Sequence, residues 1–165
     1  MSRYFVTGGS GFIGTNLVDK LLENGEMVLS IDKDKPRNIK HHKVYRELNI
    51  LDQRHLQEAL LEYQPEYVIH LAARTDLHGK SIKDYATNTI GVKNLLSGLS
   101  KVKCLKRCIF TSSKLVCKTG YAPKHDQDYM PNTYYGESKV IGEEIVRSEN
   151  PQDYDWCIGR PTSIW

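Results

Sequence analysis

The sequence predicts an α/β fold, a doubly wound parallel sheet with helices on both faces. Three observations predict it. Short apolar runs alternate with segments of helical period along the chain, a glycine-rich turn joins the first run directly to the first helix, and no repeat, low-complexity tract or linker interrupts the rhythm. Residues 1–165 therefore read as one domain, long enough for a sizeable core.

Arg3-Tyr4-Phe5-Val6 opens a strand over 3–7, and Phe12, Ile13, Leu17, Val18, Leu21 and Leu22 mark an amphipathic helix over 12–24 that Gly25 stops. Met27 to Ile31 reads as the second strand, followed by a strand near 43–48 and a helix near 52–63. Pro65 precedes a strand at 66–71, and a helix is expected over 81–101. Cys108-Ile109-Phe110 anchors a strand at 107–112, a helix spans 134–149, and a strand closes the series at 155–160. The stretch 117–133, with Gly120, Pro123 and Pro131, is a long irregular loop of the kind that is often functional. Only five residues follow Arg160, so the expectation is that a C-terminal part is missing.

Composition narrows the function. With 23 basic and 20 acidic side chains the net charge is +3, too small to imply nucleic acid, and the cluster Lys101, Lys103, Lys106 and Arg107 reads as a solvated helix end. Cys104, Cys108, Cys117 and Cys157 show neither C-x-x-C spacing nor histidine partners for a metal. There is no signal stretch and no apolar run near the ~20 residues that span a bilayer. The expectation is a soluble cytoplasmic protein with reduced thiols, no metal and no membrane contact.

Residues 7–14, TGGSGFIG, sit between strand and helix. Such a junction aims unpaired backbone N–H groups and the positive end of the helix dipole at one spot, where a pyrophosphate can sit. Gly8 permits the turn, Gly11 lets the backbone approach the phosphates, and Gly14 lets the helix pack against the strand. With this cradle the sheet reads as a Rossmann-type dinucleotide-binding domain. Asp32, 18 residues past Gly14 at a strand end, is placed to take two ribose hydrogen bonds and to repel a 2′-phosphate, favouring NAD over NADP. Lys33, Lys35 and Arg37 soften that exclusion. Asp52 either contacts the adenine edge or caps the helix that starts there.

Tyr135 and Lys139 are four residues apart on a helix, hence on one face. A phenol has an ordinary pKa of ~10, and lowering it to ~7 takes about 4 kcal/mol of differential interaction, which a neighbouring ammonium and an oxidised nicotinamide can supply. An exposed helix face gives the same spacing. Ser113, after Thr111-Ser112, stands at a strand's carboxyl end, where ligands of open sheets collect; such a run also makes an ordinary turn.

These pieces together resemble the extended short-chain dehydrogenase/reductase family, in particular its NAD-dependent nucleotide-sugar epimerases and dehydratases. The resemblance covers TGGSGFIG, Asp32, Asp52, His70-Leu71-Ala72-Ala73, Asn88-Thr-Ile-Gly91, Thr111-Ser112-Ser113, YGESK at 135–139 and Arg160-Pro161-Thr162, in the family's order. It implies that Tyr135 is the catalytic base, that Lys139 binds the nicotinamide ribose and lowers the tyrosine pKa, and that Ser113 orients the sugar hydroxyl. Gly8, Gly11, Phe12, Ile13, Gly14, Ile50, Leu51, Leu71, Ala72, Ala73, Asn88, Thr111, Arg160 and Pro161 are expected near the cofactor, with His70 as packing.

Lys114 and Leu115 stand where 4,6-dehydratases of this family carry Asp-Glu and where decarboxylases carry a glutamate, so both reactions are disfavoured. Cys117 replaces a tyrosine common in relatives. By elimination the expected activity is epimerisation of a nucleotide sugar, at C4 of a UDP-hexose. A ketoreductase or dehydratase, or a dinucleotide-binding regulator that lost the chemistry, are the alternatives. The resemblance also implies a C-terminal substrate part and a homodimer through helices 81–101 and 134–149, with Ile82, Tyr85, Leu95, Leu96, Leu99, Ile141, Ile145 and Val146 as candidate contacts.

Overall fold

The computed structural model describes residues 1–149, 151 and 153–162. The expected alternation is present. Strands β1 (Arg3–Thr7), β2 (Met27–Asp32), β3 (Tyr45–Glu47), β4 (Tyr67–His70), β5 (Arg107–Thr111) and β6 (Asp155–Gly159) form one sheet in the order β3-β2-β1-β4-β5-β6. Every pairing is parallel. The order reverses between β1 and β4, which leaves a crevice at their carboxyl ends where such sheets bind ligands.

Four α-helices, α1 (Phe12–Glu23), α2 (Gln53–Tyr63), α3 (Ala86–Leu99) and α4 (Tyr134–Glu149), make the crossovers. On one face Phe5, Val68, Cys108 and Phe110 pack with Leu56 and Leu60 of α2, Leu95 and Leu99 of α3, and Val146 of α4. On the other face Val6 and Val28 pack with Val18 and Leu21 of α1. Ile69 and Ile109, side by side in register and next to Cys157, belong to neither cluster.

Two elements differ from the sequence reading. The strand expected at 43–48 shrinks to three residues, because Asn38 accepts the Lys40 N–H at 3.0 Å and starts a 3-10 turn over Ile39–Lys43. The helix expected from 81 begins as a separate 3-10 turn, Ile82–Tyr85. There Asp84 accepts the N–H groups of Lys80 and Ser81, and the Tyr85 hydroxyl donates to the Asp76 carbonyl at 2.9 Å. Side-chain hydrogen bonds to nearby backbone compete with the α-helical ladder in this way.

Most of the apolar residues proposed as dimer contacts face inward, Ile82 and Ile141 being only partly buried. Tyr85, Leu95, Leu96, Leu99, Ile145 and Val146 are all buried in the protein's own core. Sheet packing claims the stripe first, as amphipathic helices of such folds require.

Candidate active site

A cleft of about 1150 Å³ opens over the crevice between β1 and β4. Its floor is the turn after β1. Gly8 adopts φ +74°, and a Cβ there would lie 2.6 Å from the Ala72 nitrogen, so only glycine joins β1 to the end of β4 at this spacing. A Cβ on Gly14 would overlap the Gly8 carbonyl and lie 2.6 Å from the Gly9 Cα. The helix start therefore rests directly on the turn. Gly11 is the N-cap of α1 and provides no side-chain cap, leaving the first N–H groups of the helix open to the cleft. An uncapped helix start beside bare glycine backbone fits a pyrophosphate.

Of the expected residues, Gly8, Gly11, Phe12, Ile13, Gly14, Asp32, Ile50, Leu51, Leu71, Ala72, Ala73, Ser113, Tyr135 and Pro161 line this cleft. Asp32 is fixed at one end of the cleft: one carboxylate oxygen accepts the Ser10 N–H at 3.0 Å, the other the Asp34 N–H at 3.1 Å. Each oxygen retains a lone pair for a ribose hydroxyl. Lys33, Lys35 and Arg37 line the same end.

Five expected residues do not line it. Asp52 caps α2, accepting the His55 N–H at 3.2 Å and pairing with its ring at 2.6 Å, which holds the carboxyl below its ordinary pKa. Of its two readings, the cap is the one the geometry takes. Asn88 is buried and laces α3 to its surroundings, accepting the Arg74 N–H at 2.9 Å and donating to the Arg74 carbonyl and Ser138 Oγ. Arg160 turns away and forks onto Glu143, with Nε at 2.7 Å and Nη2 at 2.6 Å. Thr111 offers its carbonyl to Lys139 Nζ at 3.0 Å, and Lys139 itself is buried behind the cleft wall.

At the other end Tyr135, 8% exposed, stands with Ser113 at the same carboxyl edge as the glycines. Ser113 Oγ accepts the Leu115 N–H at 3.1 Å, so its own proton remains free to donate. Lys139 Nζ lies 6.0 Å from the centre of the Tyr135 ring. Burial brings the Lys139 ammonium down to about 8, against an upward push from Glu143. Burial also pushes the Tyr135 phenol up; Ser113 pulls it part of the way back, and Tyr85 adds to the rise. The expected depression of the tyrosine is thus not supplied by the protein groups, because desolvation of the phenolate outweighs them.

His70 is packed under the cleft, sharing a 2.7 Å hydrogen bond with Thr7 and meeting Phe110 edge-on. Burial drives its ring down to about 3, with Lys139 contributing, so it is neutral. No residue of 117–133 lines the cleft. Tyr121 and Lys124 instead bond to Asp128 within the loop. Sequence reasoning missed Asn49, Arg74, Thr75 and Asp76 in the cleft wall, and Gly9, where a Cβ would overlap Ser30 Oγ. It also missed Glu143, one helical turn past Lys139, which the four-residue spacing could have revealed.

Residues 4–165 match the family model described as the NAD dependent epimerase/dehydratase family. The chain belongs to that family. A 3 beta-hydroxysteroid dehydrogenase/Delta 5-->4-isomerase of Mycobacterium tuberculosis is 32% identical, covering 100% of this chain and 48% of the relative. The UDP-glucose 4-epimerase of Thermotoga maritima, solved with UDP-glucose, superposes with a TM-score of 0.82 at 27% identity, covering 96% of this chain and 54% of that one. A UDP-glucose 4-epimerase of Brucella ovis in complex with NAD gives 0.77 at 26%, covering 96% and 51%. The chain spans about half the length of the curated relatives it matches. Among the described residues no helix is long and apolar enough to cross a membrane.

Proposed function

We propose that this chain binds NAD in the cleft and serves a nucleotide-sugar epimerase of the UDP-hexose 4-epimerase type. One observation carries the reading: the uncapped start of α1 and the pair Ser113 and Tyr135 open into a single cleft. The backbone N–H groups after Gly11 hold the pyrophosphate, and Asp32 takes the adenosine ribose. Bound NAD supplies a hydride acceptor that returns the hydride later in the cycle. Ser113 donates to the sugar oxygen and orients it, while the Tyr135 oxygen receives the hydroxyl proton and gives it back. Burial opposes a free phenolate at Tyr135 and Ser113 offsets it only in part, so the positive charge of an oxidised nicotinamide bound in the cleft would supply the remaining stabilisation.

Lys114, exposed and outside the cleft wall, stands where the resemblance puts the water-eliminating acid, which supports epimerisation over dehydration. A homodimer through α3 and α4 belongs to the same proposal, with Ile90, 52% exposed, and Lys93 on α3 facing Glu137 and Glu144 of a second copy. The free thiols fit a reducing cytoplasm. Oxidation of a hydroxysteroid is the second reading, favoured by the 32% identity to the mycobacterial dehydrogenase.

The test supplies the protein with NAD and, separately, UDP-glucose, UDP-N-acetylglucosamine and a 3β-hydroxysteroid. Interconversion of the sugar epimers, lost in Tyr135→Phe while NADH binding persists, is the expected result. NADH accumulating with the steroid would move the assignment to the second reading, and NADH binding with no conversion would make the protein a dinucleotide-binding regulator.

A further inference from the structure

Behind the cleft wall, between α4 and the ends of β4 and β5, lies a cavity of about 20 Å³ whose polar lining includes His70, Asn88, Ser112, Lys139 and Glu143. One water needs about 10–15 Å³ and two to four polar partners. The partners are there. Ser112 is 6% exposed, and its Oγ has no hydrogen-bond partner of ordinary geometry among the described residues. Lys139 Nζ carries three N–H groups and uses one on the Thr111 carbonyl. Glu143, 2% exposed, accepts from Arg160 Nε at 2.7 Å, Arg160 Nη2 at 2.6 Å and the Tyr129 hydroxyl at 2.9 Å, three of roughly four acceptor positions. Each of these groups has unused capacity, and all three front the same space.

We propose that Glu143 is a positioning residue for Lys139, acting through one internal water held jointly by Lys139 Nζ, Ser112 Oγ and the Glu143 carboxylate. The water gives the ammonium a second partner on the side away from the cleft, which sets where Nζ points and keeps it charged. Among the residues lining the cavity Glu143 is the one carboxylate. The other titratable groups facing Lys139 are Tyr135 on its own helix and His70 from β4, and neither is anionic. Glu143 in turn faces Arg160 from the end of β6, Tyr129 from the loop, and Arg147 at 3.9 Å on α4. Burial pushes its carboxyl up, but the bonds from Arg160 and Tyr129, with the Ser112 hydroxyl close by, win and leave it below its ordinary value, hence charged. The loop 117–133, outside the cleft, thereby acts on the site through this brace.

The significance of this brace rests on reading Tyr135 and Lys139 as the working pair, but its test needs no turnover. In the chain labelled with 13Cε-lysine, with Lys139 assigned by its loss in Lys139→Arg, the Lys139 resonance is titrated. Glu143→Gln is expected to lower the Lys139 midpoint by about one unit, a tenfold rise in acidity, and Ser112→Val, which fills the cavity, by about half a unit. The wild-type amine protons should also show a cross-peak to a long-lived water. Unchanged midpoints in both variants overturn the proposal. A shift in Glu143→Gln alone, with no water cross-peak, overturns the water. Ser112→Val keeps the question decidable if Glu143→Gln fails to fold. Failure to convert any nucleotide sugar, with these shifts present, would count against the epimerase and leave the brace standing.

Discussion

Acidification singles out His70. Its ring is buried, bonded to Thr7 at 2.7 Å, and driven to about 3 by burial, against an ordinary value of 6.5. In the unfolded chain the same ring takes a proton near pH 6.5, so between pH 6.5 and 3 the unfolded state binds more protons and stability falls with pH. The stabilising effect is complete above about 6.5 and lost progressively as pH drops towards 3. At pH 5 the unfolded state is favoured by about 1.5 log units relative to neutral solution, or about 2 kcal/mol. His70→Gln removes this titration. Urea unfolding followed by tryptophan fluorescence at pH 7 and pH 5 should show the wild type losing about 2 kcal/mol more than the variant over that interval. Equal losses in the two proteins would refute the reasoning, since the ring would then be free to protonate in the fold.

Three other changes have defined outcomes. Gly14→Ala gains about 1 kcal/mol of helix propensity but forces a methyl into the Gly8 and Gly9 backbone at a cost of about 1–3 kcal/mol; NADH affinity measured by fluorescence should fall at least about tenfold as the cradle opens. Asp52→Ala removes the α2 cap and should cost about 1 kcal/mol in urea, with NADH affinity unchanged; a large loss of affinity would restore the adenine reading. Arg160→Met leaves Glu143 buried without its fork and should cost about 3–5 kcal/mol, read as a drop in the urea midpoint.

The strand and helix succession was legible because burial on a sheet or helix face imposes a period, and the chain keeps that period almost throughout. It failed where local side-chain bonds override it, at Asn38 before β3 and at Ser81 and Asp84 before α3. Gly14 was readable because its constraint is local, the Gly8 and Gly9 backbone of the same turn, and Gly8 because the tight turn needs its positive φ, although the backbone it meets, Leu71 and Ala72, lies across the sheet. That Arg160 and Asn88 stand off the cleft wall could not be read, because their partners, Glu143 and Arg74, are 17 and 14 residues distant and are brought near only by the fold. The protonation tendencies of Tyr135 and Lys139 were beyond sequence reasoning for the same reason. Spacing sets which groups are neighbours, whereas desolvation depends on everything packed around them.

The row of Ile69, Ile109 and Cys157 lies outside both clusters, and α1 packs over β1 and β2. Parallel sheets normally keep both sides dry. In the described residues Ile69 and Ile109 are half-buried and Cys157 is exposed, so this flank of the sheet offers an apolar stripe on which further packing would remove surface from water. A maleimide dye on the exposed Cys157 thiol would brighten as soon as anything oily settled there, giving a direct optical readout of how that flank is kept out of trouble.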